Sequence, residues 1–301
     1  MLFKVKNMSK NRVVPLSQLR QEYEREIEVP KFDKELKIKL SLFEKIYNIG
    51  AIRKTFILLI IAIIWQIYAI NLDNELMFPT FTDTLKGLYE VIYSGELIEK
   101  TFNSLKVLLV GYSVGILIAT TLTVLAITTR LGTDLLETMT SMFNPLPAIA
   151  LLPLALLWFG LGNPSIMFVI IHSVTWPIAL NIYSGFTGVS NTLRMVGRNY
   201  ELTGLSFVFK ILIPAAFPQI LTGLKVGWAF SWRTLIAAEL VFGVSSGSGG
   251  LGWFIFEKKN QLDINLVFAG LLTIIIIGVF IENVIFKFIE KRTVIKWGMK
   301  F

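Results

Sequence analysis

The sequence predicts an all-α membrane protein with six transmembrane helices and a short cytoplasmic helix between the fourth and the fifth. Three observations support this fold class. Hydrophobic residues make up 54% of the 301 residues, whereas soluble domains contain about 45–50%. Six apolar runs approach the length of a membrane span. Basic residues are concentrated at the two ends of the chain.

Each predicted span is an apolar run whose length is judged against the roughly twenty residues that a helix needs to cross the hydrocarbon core. They are residues 55–70, 105–128, 136–159, 166–187, 214–241 and 266–286. The third contains Pro145, Pro147 and Pro153, so we expect it to be kinked or broken near its middle. The fifth is longer than one crossing needs, which predicts a tilt or an interruption. Gly111 and Gly115, and likewise Gly223 and Gly227, have the spacing of close helix contacts.

The distribution of charge predicts the orientation of the spans. Residues 1–54 hold thirteen Lys and Arg residues, whereas residues 71–104 hold two against six acidic ones. This asymmetry follows the positive-inside rule and places both termini in the cytoplasm, in agreement with six crossings. The net charge of +8 therefore indicates topology and not nucleic-acid binding. Residues 71–104 and 243–265 are expected outside, and 129–135 and 188–213 inside.

Three regions follow from this topology. Residues 1–54 form a cytoplasmic extension with no cleaved signal expected. Within it, residues 36–54 have the spacing of an interfacial amphipathic helix, and a solvated tail is the other interpretation of the extension. Residues 55–286 form the transmembrane domain, and 287–301 a basic cytoplasmic tail. The chain has no cysteine and one histidine, His172, which excludes disulfides and histidine-based metal clusters and argues against a membrane enzyme.

The polar segment between the fourth and fifth spans is too short for a domain and too patterned for a slack loop. Residues 195–209 are suited to an amphipathic helix that enters a partner's groove, and Pro214 and Pro218 mark a turn before the fifth span. The candidate docking residues are Arg194, Arg198, Asn199, Tyr200, Glu201, Leu202, Thr203 and Leu205.

Five runs in order, at residues 147–154, 157–162, 214–227, 232–240 and 249–252, resemble those of inner-membrane permease subunits of bacterial ATP-binding-cassette (ABC) importers of the nitrate, sulfonate and taurine type. The resemblance covers about residues 85–290. The family's cytoplasmic loop motif ends in I-x-L-P, which Ile211, Ile213 and Pro214 fit. Thirteen residues before Pro214 the motif has Gly and this chain has Glu201. The motif's opening E-A-A falls on residues 195–197 and begins here with Met195.

The resemblance implies a type I importer permease, with residues 188–213 as the coupling loop that contacts the motor. It implies a homodimer in the bacterial cytoplasmic membrane, two ABC ATPase subunits, and an extracytoplasmic binding protein. ATP and Mg²⁺ would be bound by the ATPase subunits, because this chain has no nucleotide motif. No cofactor is therefore expected in this chain, and it would not itself be an enzyme.

The substrate implied by the resemblance is a small oxyanion such as a sulfonate, taurine or nitrate. The same type of importer for a vitamin precursor, of pyrimidine or flavin type, is the alternative. From another class, an ATP-independent secondary transporter would predict inverted repeats, and the sequence shows no internal repeat.

Charged side chains within a span are costly and therefore candidates for function. Arg233 and Glu239 both fall in the fifth span. One interpretation is that Arg233 lines the path of an anionic substrate while Glu239 holds another helix. The other is that both form contacts between helices or at the membrane interface without touching substrate. The candidate path residues are Arg233, Trp232, Glu239, His172 and Asn181.

Overall fold

The computed structural model describes residues 47–242 and 249–299, and no strand occurs among these residues. Two units are distinguished by their internal contacts, residues 1–58 and 59–301. The first unit is described only from residue 47, where it contributes the opening turns of the first long helix. The predicted interfacial helix at 36–54 therefore lies mostly outside the described residues.

The elements follow one another as helices joined by short turns. They are α1 (Gly50–Leu72), α2 (Phe81–Tyr93), α3 (Glu96–Thr128), α4 (Arg130–Phe143), a 3-10 turn (Ala148–Leu151) with α5 (Leu152–Phe159), α6 (Asn163–Thr187), α7 (Asn191–Asn199), α8 (Gly204–Phe207), a π-helical turn (Val208–Leu212), α9 (Ile213–Phe242), α10 (Leu251–Asn260), α11 (Ile264–Phe280), a second π-helical turn (Ile281–Phe286), α12 (Lys287–Glu290) and a third π-helical turn (Lys291–Ile295).

Six membrane crossings fit these elements. Five stretches are long and apolar enough to span, namely α1, α3, α6, the continuous helix Gly204–Val241 and the helix Ile264–Ile295. The sixth is the pair formed by α4 and Ala148–Phe159, which is bent by 88°. The bend falls at residues 144–147, where Pro145 and Pro147 prevent helix continuation. The predicted break in the third span is thus confirmed.

The fourth span, α6, is the central helix of the bundle and packs against α3 and α9. Small residues make these contacts close. A Cβ added to Gly111, Gly115, Gly223 or Gly227 would come within 2.7–2.8 Å of a side-chain atom of α6. The sequence prediction of close helix contacts at both glycine pairs is therefore confirmed.

Two shorter helices occupy the polar stretches between the spans. The helix α2 lies in residues 71–104, and α10 lies in residues 243–265; sequence analysis assigned no helix to either stretch. Helical structure also continues past residue 286 to Ile295, into the predicted basic tail. Residues 243–248, at the start of the stretch expected outside, are not among the described residues.

Candidate functional site

The segment between the fourth and fifth spans folds as a short helix, α7, with a defined start and end. Ser190 caps it by accepting a hydrogen bond from the Leu193 N–H at 3.4 Å. At the other end, the Leu202 N–H donates to the Gly197 carbonyl at 3.0 Å, and the Glu201 N–H donates to the Arg198 carbonyl at 2.9 Å. This pair of bonds is a Schellman motif, which requires a left-handed residue after the helix.

Glu201 is that left-handed residue, with φ of +54°. The importer motif has Gly at this position, and the Schellman turn explains why, since glycine adopts this conformation without a steric cost. Here a glutamate takes the same backbone conformation. At this position the chain therefore departs from the motif in its residue while adopting a backbone conformation that favours glycine.

A close backbone approach fixes α7 against the segment that leads into the fifth span. Gly197 is buried, and a Cβ at this position would lie 2.6 Å from the ring of Phe207 and 3.2 Å from Ile211. The helix therefore lies directly on the residues that begin the Gly204–Val241 helix. This contact joins α7 stiffly to the fifth span.

Arg194 joins the same helix to the fourth span. Its guanidinium donates to the carbonyls of Phe186 at 2.6 Å and Val189 at 3.1 Å. These carbonyls lie in the last turn of α6 and just after its end at Thr187. Arg194 therefore has a structural contact, and its role as a docking residue stays a prediction. The other predicted docking residues are exposed except for half-buried Leu202; they are Arg198, Asn199, Tyr200, Glu201, Thr203 and Leu205.

A cavity of about 450 Å³ lies between the break in the third span, α6 and α9. Its walls include two of the predicted path residues, His172 and Asn181. Asn181 donates from Nδ2 to the Pro177 carbonyl at 2.8 Å. The remaining lining residues are Phe143, Asn144, Pro145, Leu146, Pro147, Ala148, Ser173, Trp176, Pro177, Leu180, Phe230 and Thr234.

Three aromatic rings form one wall of this cavity. Phe143 stacks on Trp176 at 5.2 Å between ring centroids, and His172 meets Phe143 edge-on at 5.9 Å. Both ring nitrogens of His172 and Nε1 of Trp176 are buried, without a hydrogen-bond partner among the described residues. Phe143 and Trp176 were not selected from the sequence, in which neither residue carries a charge or belongs to a binding motif.

Arg233 is not among the residues that line this cavity, but it contacts one of them. Its side chain is exposed, and its guanidinium carbon sits 5.6 Å from the ring centroid of Phe230. Phe230 and Thr234 both line the cavity. No carboxylate among the described residues pairs with Arg233 within 4.0 Å. Whether Arg233 lines the path of a solute therefore stays a prediction.

The other two predicted path residues lie elsewhere. Trp232 is buried, and its Nε1 is 3.8 Å from the position that a Cβ on Gly278 of α11 would take. Glu239 is 5% exposed and borders a separate cavity of about 220 Å³. Its carboxylate accepts hydrogen bonds from the Ser104 hydroxyl and the Gly252 N–H, each at 2.8 Å. It thereby holds α10 to α3 and α9.

The residues that complete the Glu239 contact were not selected from the sequence. Ser104 is a common residue in spans, and the Gly249–Gly252 run was identified only as part of the family resemblance. A Cβ on Gly250 would overlap the Glu239 carboxylate. The one available signal was the pairing of a carboxylate inside a span with a glycine-rich run shortly after it.

Six crossings, a rigid exposed helix between the fourth and the fifth, and a partly polar cavity against the central helix define a membrane transport subunit. Residues 111–295, more than half of the chain, match the family of binding-protein-dependent transport system inner membrane components. The chain belongs to this family, and its fold is that of a type I ABC importer permease.

Named relatives agree with this assignment. A putative ABC transporter permease protein of Methanocaldococcus jannaschii is 30% identical over 234 residues, which cover 76% of this chain and 86% of the relative. The nitrate import permease protein NrtB of Synechocystis is 29% identical over 258 residues, or 83% of this chain and 91% of the relative. The putative aliphatic sulfonates transport permease protein SsuC of Bacillus subtilis is 27% identical over 239 residues, or 79% and 84%. The predicted nitrate, sulfonate and taurine type is thus confirmed.

Proposed function

We propose that the chain is one of two identical permease subunits of an ATP-driven importer that moves a small oxyanion through the cytoplasmic membrane. Two ATPase subunits would bind the exposed residues of α7 on the cytoplasmic side. A binding protein would deliver the solute at the outer side. The observation that carries this proposal is the attachment of an exposed α7 to two of the three spans that line the cavity.

The attachment supplies a physical route from motor to cavity. Arg194 fastens α7 to the end of α6, and the buried Gly197 fastens it to Phe207 before α9. Both α6 and α9 contribute lining residues to the 450 Å³ cavity. A displacement of α7 by the ATPase would therefore be passed to both walls, and closure of the ATPase pair would change access to the cavity.

The oxyanion class is supported by the lining of the cavity. Arg233 contacts the lining residue Phe230, and Asp and Glu are absent from the lining in the described part of the chain. A cation without a facing carboxylate favours an anionic solute over a cationic one. The names of the relatives NrtB and SsuC, which refer to nitrate and aliphatic sulfonates, point to the same class.

The orientation proposed for this subunit follows from its charge. Thirteen basic residues in 1–54 and the basic residues after 286 favour cytoplasmic termini by the positive-inside rule. With six crossings, α7 then lies in the cytoplasm and α2 and α10 face outward. A reporter fused after residue 299 and one inserted before residue 81 would be expected to report opposite sides of the membrane.

Affinity purification of the tagged permease in mild detergent, followed by mass spectrometry, tests the assembly. The expected result is an ABC ATPase subunit in the eluate and ATP-dependent uptake of taurine or nitrate by the complete importer with its binding protein. A permease that elutes without an ATPase and transports solute in liposomes without ATP would overturn the proposal in favour of a secondary transporter.

A vitamin-precursor importer is the second candidate, and the aromatic wall of Phe143, Trp176 and His172 favours it. Flat heteroaromatic rings stack on such surfaces. Competition between taurine and a pyrimidine in the same uptake assay distinguishes the two. Uptake of the pyrimidine alone would reject an oxyanion as the substrate and would leave the assignment as an importer permease unchanged.

A further inference from the structure

We propose that the helical segment 287–297, at the end of the sixth span, binds anionic phospholipids of the cytoplasmic leaflet. The inference goes beyond the proposed function and shares with it only the cytoplasmic position of the C-terminus. The feature that carries it is the exposed side of this segment, where cations and large apolar side chains occur together.

The exposed side chains of the segment follow a regular pattern. Side chains at positions 286, 289–290 and 293–294 are buried or half-buried, and those between them are exposed. Exposed pairs therefore recur every four residues, about one pair per helical turn. The six residues, which we call the basic stripe, are Lys287, Phe288, Lys291, Arg292, Ile295 and Lys296.

The four cations of the basic stripe are not neutralised by the protein. Glu290 is the single acidic residue after position 286. It lies on the covered side of the segment, where its carboxylate pairs with Lys225 of α9 at 2.7 Å. Among the described residues, no carboxylate lies within 4.0 Å of a charged nitrogen of the stripe. The stripe therefore favours a partner that carries negative charge.

The apolar members of the stripe indicate which anion it fits. Phe288 is 58% exposed and Ile295 is 49% exposed, and the guanidinium carbon of Arg292 lies 5.1 Å from the ring centroid of Phe288. A soluble anion would leave both apolar side chains in water. At a bilayer surface, phosphates meet the cations while the apolar side chains enter the boundary of the acyl region. The mixed stripe therefore favours a lipid over a soluble anion.

The position of the stripe along the sixth span matches the lipid head groups. Residues Ile264–Ile295 form one helix, and at 1.5 Å per residue Lys287 lies about 35 Å from Ile264. The hydrocarbon core is about 30 Å thick, and the bilayer with both head-group layers about 40–45 Å. With Ile264 at the outer boundary of the core, Lys287 lies in the inner head-group layer. The long side chains of Lys291 and Arg292 can reach back to the same layer.

The segment is also fixed to the fifth span. In addition to the pair between Glu290 and Lys225, the ring of Trp297 meets that of Phe217 at 5.3 Å between centroids. The backbone that carries the cations is therefore held in place before lipid binds, which reduces the entropy lost on binding. Bound lipid would in turn steady the cytoplasmic end of α9, shortly after its contact with α7.

Native mass spectrometry of the full-length permease tests the stripe. The protein is purified with its copurifying subunits, stripped of lipid, and titrated with phosphatidylglycerol, phosphatidylcholine or glycerol 3-phosphate. We expect phosphatidylglycerol to bind most tightly. The double variant Lys291→Gln, Arg292→Gln should raise its dissociation constant about 25-fold, or about fivefold for each cation, and leave that of phosphatidylcholine unchanged. The matched control is Lys86→Gln, Lys259→Gln, which removes two exposed cations from α2 and α10 and should keep the native constants.

Four results would overturn the proposal. Phosphatidylglycerol could bind no more tightly than phosphatidylcholine, or both double variants could weaken it equally. Equally tight binding of glycerol 3-phosphate would indicate a site for soluble phosphate. Loss of the bound lipid when the ATPase subunits are present would assign the stripe to the ATPase. The titration requires no uptake, so lipid selectivity in a permease without a copurifying ATPase would reject the proposed assembly and keep the stripe.

Discussion

The hydroxyl of Ser104 donates to the carboxylate of Glu239 at 2.8 Å, although the two residues are 135 positions apart. The same hydroxyl accepts a hydrogen bond from the Leu251 N–H at 2.8 Å, and Glu239 also accepts from the Gly252 N–H. The carboxylate thus caps the N-terminus of α10 from another helix, where negative charge is favourable. One buried group joins α3, α9 and α10.

Replacement of Ser104 by Ala should destabilise the permease. The Leu251 N–H and one carboxylate oxygen would lose their partner in a buried place, at a cost of about 1–3 kcal/mol. We expect a lower midpoint in thermal unfolding of the purified protein, followed by tryptophan fluorescence. The control is Glu90→Gln, at an exposed acidic side chain of α2, which should melt as the native chain does. Equal unfolding midpoints for the native chain, Ser104→Ala and Glu90→Gln would show that Ser104 does not stabilise the permease.

The close approach of α3 to α6 gives a second prediction. A Cβ on Gly115 would lie 2.8 Å from Val174, so Gly115→Ala forces the helices apart or the valine to move. Overpacking of this kind costs about 1–3 kcal/mol. Gly278 of α11 is the matched control, because a Cβ there would find its nearest neighbour at 3.8 Å. Gly278→Ala should keep the native melting midpoint. If Gly278→Ala lowered the midpoint as much as Gly115→Ala does, overpacking at Gly115 would not be the cause.

Much of the fold could be predicted because its causes are local. Span length follows from bilayer thickness, the break at 144–147 follows from two prolines, and the glycine pairs follow from the need for close helix packing. These features depend only on residues within one helix. The helices α2 and α10 were missed because sequence analysis treated both polar stretches only as loops between spans.

The candidate site was predicted less completely, because its contacts join distant parts of the chain. His172 and Asn181 were selected as polar residues within a span, and both line the cavity. Trp176 and Phe143 also line it and stack on each other, a contact between two helices that no local pattern reveals. Arg194 was grouped with the docking residues, since no local pattern reveals that its guanidinium reaches back to the end of α6.

Arg194 and Arg198 should differ when each is replaced by Ala, although they lie one turn apart on α7. Arg194→Ala removes the hydrogen bonds to the Phe186 and Val189 carbonyls, so the permease alone should melt at a lower temperature. Arg198 is exposed, so Arg198→Ala should leave the melting midpoint unchanged. If Arg198 contacts the ATPase, its loss should weaken copurification of that subunit or lower uptake per ATP hydrolysed. Normal association and coupling in Arg198→Ala would show that Arg198 is not needed for docking.

Glu201 gives the last prediction, because it holds a left-handed conformation that favours glycine. At φ of +54° a residue with a Cβ loses about 1 kcal/mol or more relative to glycine. Glu201→Gly should therefore stabilise the turn after α7, visible as slower hydrogen exchange of the Leu202 amide that donates to Gly197. Glu201→Ala is the matched control: it removes the same carboxylate but keeps the Cβ, and should not slow exchange. If Glu201→Ala slowed exchange of the Leu202 amide as much as Glu201→Gly, the glutamate side chain, and not backbone strain, would determine the stability of this turn.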